Sequence, residues 1–157
     1  MHNFNSLNIL KRGIILFWAV WFSLATLTNF FDLLKYYHGV SEGWKFVSNN
    51  LSLISNVISI YGLSPAASSF FLMGAICLEG IITLLFWIAA FSATQMTPKK
   101  SCWVNGAFTL STFLWALFLV MDEFFIAYPF ENTHLPLLVS QLICLLAIHL
   151  LPDTQSK

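Results

Sequence analysis

The fold class predicted by this sequence is an all-α integral membrane protein, a four-transmembrane-helix bundle with an additional amphipathic helix on the outer face between helices 1 and 2. Three observations predict it. The 157 residues are 58% hydrophobic and only 9% charged, which leaves too little polar surface to clothe a soluble globule. Four apolar runs are each close to the roughly 20 helical residues needed to cross a hydrocarbon slab of roughly 30 Å. The few charges fall almost entirely in the joints between those runs. Strands isolated in lipid would leave backbone hydrogen bonds unmade, so each run must be a helix. The chain reads as a single membrane domain over residues 1–157, with spans at about 13–34, 66–93, 101–127 and 135–151 and the amphipathic helix at about 46–61.

The first span follows Lys11 and Arg12 and holds no ionisable residue from Gly13 to Phe31. It imitates a signal peptide, but Thr28-Asn29-Phe30-Phe31-Asp32 offers no small-x-small cleavage site, and a retained span is expected. Along it, Trp18, Trp21, Ala25, Thr28, Asp32 and Lys35 trace one stripe, with Asn29 beside it.

After this span, Val47, Leu51, Ile54, Ile58 and Tyr61 recur at steps of four and three, with Ser and Asn filling the other positions. That is the period of an amphipathic helix. Its polar side lacks the Lys and Arg of a usual interfacial anchor. Two placements are open, flat on the outer surface or folded over the mouth of the bundle. Gly62 and Pro65 end it.

The second span is the longest and is interrupted once, by Glu79. A carboxyl at that depth costs on the order of 3 kcal/mol on insertion scales, so it turns toward protein or water. Stitching helices together and handling protons are both open to it. In the third span Asn105, Thr109, Thr112, Ala116, Leu119 and Glu123 form a small, polar seam, expected to face inward because small residues let helices approach. Asp122 lies about 100° around the helix from Glu123. With both stripes inward, Asp32 and Glu123 meet at the outer end, and Lys35 is the local counter-charge of Asp32. The fourth span contains Gln141 and, near its end, His149.

Two groups of candidate residues follow. Glu79, Gln141, His149 and Asn105 make a candidate intramembrane polar site. Asn29, Asp32, Asp122, Glu123, Glu131 and His134 make a candidate outer-face polar cluster. Glu131-Asn132-Thr133-His134 has the Glu-x-x-His spacing used in carboxylate metal bundles, but those need paired copies and further Glu residues, and one copy is present. Glu123, Glu131 and His134 are therefore weak metal candidates, and solvated boundary acids are the plainer reading. Paired-His haem ligation would need a second buried His, and no cofactor is predicted.

Lys11 and Arg12, Lys99 and Lys100, and Lys157 stand on one side of the spans, against Lys35 and Lys45 on the other. The positive-inside rule places the first group, both termini and the Gln95–Lys100 loop in the cytoplasm of a cell with an inner (plasma) membrane. Formal net charge is zero, with 7 basic and 7 acidic residues, giving no footprint for nucleic acid. The expected partners are the lipid bilayer and other membrane subunits or a second copy. The expected role is an accessory or scaffolding subunit of a membrane complex. The alternatives are a proton- or solute-coupled small carrier using Glu79, and a membrane-embedded metal or redox enzyme using the outer carboxylates and His134. Reporter fusions at Asn49 and Lys99 should register in opposite compartments; signals from the same side would refute the topology.

Overall fold

Four helices long and apolar enough to cross a membrane account for most of the protein in its computed structural model, which describes residues 6–92 and 101–151. The order is α1 (Ser6–Tyr36), α2 (Asn50–Ile58) continued by a 3-10 turn (Ser59–Tyr61), α3 (Pro65–Ser92), α4 (Cys102–Phe124) and α5 (Tyr128–Leu150). No strand occurs among the described residues. The expected loop at Gln95–Lys100, with Lys99 and Lys100, lies outside them, as do Asp153 and Lys157.

The outward surface is strongly apolar: Phe70, Phe91 and Leu150 are 75%, 69% and 76% exposed. That is a surface suited to hydrocarbon and costly in water. At about 1.5 Å per residue, α3 runs roughly 42 Å, longer than a slab of roughly 30 Å.

α1 and α3 form the most extensive helix pair, and polar side chains fix their antiparallel register. Tyr37 Oη donates to Ser69 Oγ (3.3 Å), Asn29 Nδ2 to the Glu79 carboxyl, and Trp87 Nε1 to Ser23 Oγ (3.0 Å), while Thr26 and Thr83 hydroxyls share a bond of 3.2 Å. The contacts advance along α1 as they retreat along α3, at intervals of about one to three helical turns. Toward the end remote from α2, the centre is aromatic. Phe86 stacks on Phe22 at 5.7 Å and meets Phe108 edge-on at 5.0 Å, with Trp115 5.9 Å from Phe22. Phe22, Phe86 and Phe108 are wholly buried.

α1 and α4 end in the same way. Past α1, His38 N–H reaches Lys35 O and Gly39 N–H reaches Leu34 O; past α4, Ile126 N–H reaches Glu123 O and Ala127 N–H reaches Asp122 O. This is the paired closure of a Schellman turn. The left-handed position is held by His38 (φ 58°) and Ile126 (φ 55°) rather than by glycine. For a β-branched residue that conformation is rare, and it turns the chain so tightly that α5 begins at Tyr128, ahead of the expected 135.

α2 lies across one end of the bundle. Leu51 packs with Leu33 and Leu72, and Ile58 packs with Phe125 and Ala127 at the α4–α5 corner. Of the two placements open to it, it takes the one over the mouth. The helix starts at Asn50 rather than 46 because Asn49 adopts a left-handed conformation (φ 62°) immediately before it. Gly62, at φ 67°, closes the 3-10 turn.

The small, polar seam expected to face inward on α4 is not the face that does. Val104, Ala107, Phe108, Ser111, Leu114, Trp115 and Asp122 are the buried residues of α4, while Thr109 and Glu123 are exposed. The bulky Phe108 and Trp115 fill the aromatic centre, which rotates the helix by about one residue, or about 100°. On α1, Trp18 and Asp32 are buried as the stripe implies, but Trp21 is 40% exposed.

Packing should outweigh single polar contacts in this bundle. Phe86→Ala is expected to cost about 3 kcal/mol, against ~0.6 kcal/mol for Thr83→Val, which removes one interhelical hydrogen bond. Reversible unfolding in mixed micelles distinguishes the two, and similar losses would contradict this ordering.

Candidate functional site

The residues singled out from the sequence fall into separate contacts rather than two clusters. Glu79 is 4% exposed, halfway along α3. Asn29, on the facing side of α1, approaches both its oxygens through Nδ2, at 3.0 and 2.8 Å. The Asn29 carbonyl in turn accepts from Asn50 Nδ2 at 2.8 Å. A chain of amides thus leads from the first turn of α2 to the carboxyl in the interior. Asn29 belongs with Glu79, not with the outer acids.

Asp32 lies three residues further along α1 and is buried. Its Oδ2 accepts from the backbone N–H of Leu51 (2.8 Å) and from Ser48 Oγ (3.1 Å). The first-turn N–H groups of a helix need acceptors, and the N-cap residue of α2, Asn49, makes no side-chain cap. Asp32 supplies the acceptor from another helix, and its negative charge suits the N-terminal end of the α2 dipole. This use of Asp32 replaces the expected approach to Glu123.

Asp122 and His134 pair at the same end. His134 Nδ1 and Asp122 Oδ2 share a hydrogen bond of 2.6 Å. The imidazole lies against Phe118 and Trp115, with ring centroids 5.1 and 6.1 Å away. The bond joins the last turn of α4 to the second turn of α5. Glu131 is half-buried. Among the described residues, no group of three or more His, Cys, Asp or Glu is placed to hold a metal ion.

The remaining candidates sit away from α2. Gln141 is fully buried, and its Oε1 accepts from Ser111 Oγ at 2.8 Å. Its Nε2 has no partner among the described residues. His149 Nε2 and Asn105 Oδ1 lie 2.9 Å apart. Distant in sequence, Lys11 is fully buried and its Nζ donates to Leu151 O at 2.8 Å, a cation at a helix C-terminal end.

Between the α1–α3 pair and the α4–α5 pair, directly beneath α2, is a cavity of about 390 Å³. Asn29, Asn50, Glu79, Asp122 and His134 supply its polar groups. Leu53, Ile54, Val57 and Ile58 of α2 form its roof, and Ala75, Leu78, Leu117 and Phe118 form part of its walls. A mostly apolar cavity with a few convergent polar groups is the usual form of a small-molecule site. The carboxyl of Glu79 and the Asp122–His134 pair, separate in the sequence, border one space. Ser48, Asn50 and Ser111 were not singled out from the sequence. The only signal for the first two is their place among the Ser and Asn residues of the segment 46–61.

Comparison of the chain with protein-family models, curated protein sequences and solved structures returns no match.

Asp32→Ala should loosen α2 by about 1 kcal/mol, the usual worth of a helix cap. Amide exchange at Leu51 and its neighbours should then accelerate about fivefold. Glu123→Ala, at an exposed position on the same end, should leave it unchanged. Equal protection in both variants would refute the capping role.

Proposed function

We propose that this is a small multi-pass protein of the inner (plasma) membrane, with both termini cytoplasmic, that receives a membrane-soluble small molecule in the cavity beneath α2 and serves as a small carrier. The charge asymmetry of five basic residues, Lys11, Arg12, Lys99, Lys100 and Lys157, against two, Lys35 and Lys45, supports the orientation. The observation that carries the functional reading is the cavity of about 390 Å³ with Glu79 at its edge. A carboxyl turned into a protein interior from the middle of an apolar helix marks a solute or proton path more often than a surface acid does. The roof is a separate helix rather than a loop, so the space is enclosed by ordered backbone on the α2 side.

A second reading, an accessory or scaffolding subunit, is favoured by α5. That helix packs mainly on α4 and touches α1 only slightly. Its outward residues Leu142, Ile143, Leu146 and Leu150 are all exposed. A neighbouring subunit or a second copy fits that face as well as lipid does. The metal or redox enzyme reading draws no support from the geometry, since among the described residues no three of His, Cys, Asp or Glu converge.

An aryl diazirine dissolved in the bilayer tests the carrier reading. Photolysis should label the peptides containing Ile58 and Met121, which line the cavity, as well as lipid-facing Leu84 and Leu150. Ala75→Phe, which fills the cavity, should abolish the first labelling and spare the second. Unchanged labelling at Ile58 and Met121 would overturn the reading; co-purification of a stoichiometric membrane partner through α5 would favour the second.

A further inference from the structure

We infer that the ligand of the cavity is a lipophilic monovalent cation, an amphiphilic amine or quaternary ammonium with an aromatic or short alkyl body. This rests on the cavity being a ligand site, as proposed above, and adds the chemistry of what enters it.

The inference follows from what the walls offer and lack. Two carboxyl groups, Glu79 and Asp122, border the space, and no Lys or Arg does. Asp122 already has a partner in His134 at 2.6 Å. Glu79 has only the amide of Asn29, whose contacts at 3.0 and 2.8 Å bring partial charge but no counter-charge. Asn29 is committed on its other side as well, since its carbonyl accepts from Asn50. Each carboxylate oxygen can accept more than one hydrogen bond, so Glu79 retains acceptor capacity that nothing in the wall uses. A buried carboxylate is stabilised by an opposite charge, and the ligand is the component able to bring one.

The apolar wall agrees with that charge. Phe70, Phe71, Phe118, Phe125 and Phe130 all border the cavity. Aromatic faces attract cations, by up to about 2 kcal/mol where both are desolvated, and quaternary ammonium groups are recognised by such rings without any hydrogen bond. A neutral ligand would gain the apolar contact alone. An anion would meet two carboxyl groups. Zwitterionic phospholipid headgroups carry an ammonium too, but they bring a phosphate beside it; no Lys or Arg lines the space to receive that phosphate, and the one histidine there, His134, is held by Asp122. The volume of about 390 Å³ is of the size of small-molecule sites, not of a whole diacyl lipid.

Equilibrium binding to the full chain in phosphatidylcholine nanodiscs tests this with two probes: phenylbutyl-trimethylammonium and its neutral isostere, in which carbon replaces the nitrogen. Phosphatidylcholine is present throughout, so competition from its headgroup cannot separate the probes. The cation should bind the wild type at least about tenfold more tightly than the isostere. Glu79→Gln should lose about that factor for the cation and nothing for the isostere, and Ala75→Phe should abolish specific binding of both. Equal wild-type affinities, with Ala75→Phe still blocking both probes, would overturn the cation assignment while leaving the cavity a ligand site. Binding that Ala75→Phe does not alter, or no binding of either probe, would overturn both. The wild-type comparison of the two probes stands even if Glu79→Gln fails to fold.

Discussion

Glu79 must find a partner within the protein, and Asn29 is that partner; the rest of the α2 end is arranged around that contact. A carboxyl shut away from water needs a partner within the protein, and the helix bearing it is turned toward one. Asn29 fixes which residues of α1 face α3. Once it does, Thr26 falls opposite Thr83 and Ser23 opposite Trp87. The same amide then holds Asn50, and Asp32, one turn away on α1, reaches the first turn of α2. One interhelical hydrogen bond is worth only ~0.6 kcal/mol. Its value here lies in register, because the alternatives leave several polar groups without partners at once.

The helices were legible in the sequence because long apolar runs between charges have few other solutions. The amphipathic period of 46–61 also identified a surface helix with Leu51 and Ile58 on its buried side. The faces were harder. On α4 the small, polar seam argued for Thr112 and Glu123, yet Ser111 and Asp122 are buried. Periodicity gives the angle between residues but not the zero of rotation, and here the volume of Phe108 and Trp115 set that zero. The candidate site was half visible. Glu79 stood out by its depth, and Asp122 and His134 by their chemistry. Asn50 looked like one more polar residue on a polar face. Its role depends on α2 folding over the bundle, and no pattern within α2 itself decides between that and lying flat.

The two helix pairs meet differently along their length. Away from α2 the aromatic group of Phe22, Phe86, Phe108 and Trp115 fills the space between them. Toward α2 the cavity lies between them, and Leu53, Ile54, Val57 and Ile58 close it from above. A bundle uniformly packed with large residues would have no such space. Small residues are found where it exists, at Gly74 and Ala75 of α3, and a Cβ on Gly74 would meet nothing within 4 Å.

α2 and its 3-10 turn are tied at both ends. Asp32 on α1 holds the beginning, and Tyr61 Oη donates to Phe124 O of α4 at 2.7 Å at the other end. α2 is therefore a strap of fixed length between the two helix pairs, buckled to α1 at one end and to α4 at the other. Any wider separation of the pairs at this end would require one buckle to open. Tyr61 is half exposed while Asp32 is buried, so the α4 buckle is the one within reach of the surroundings.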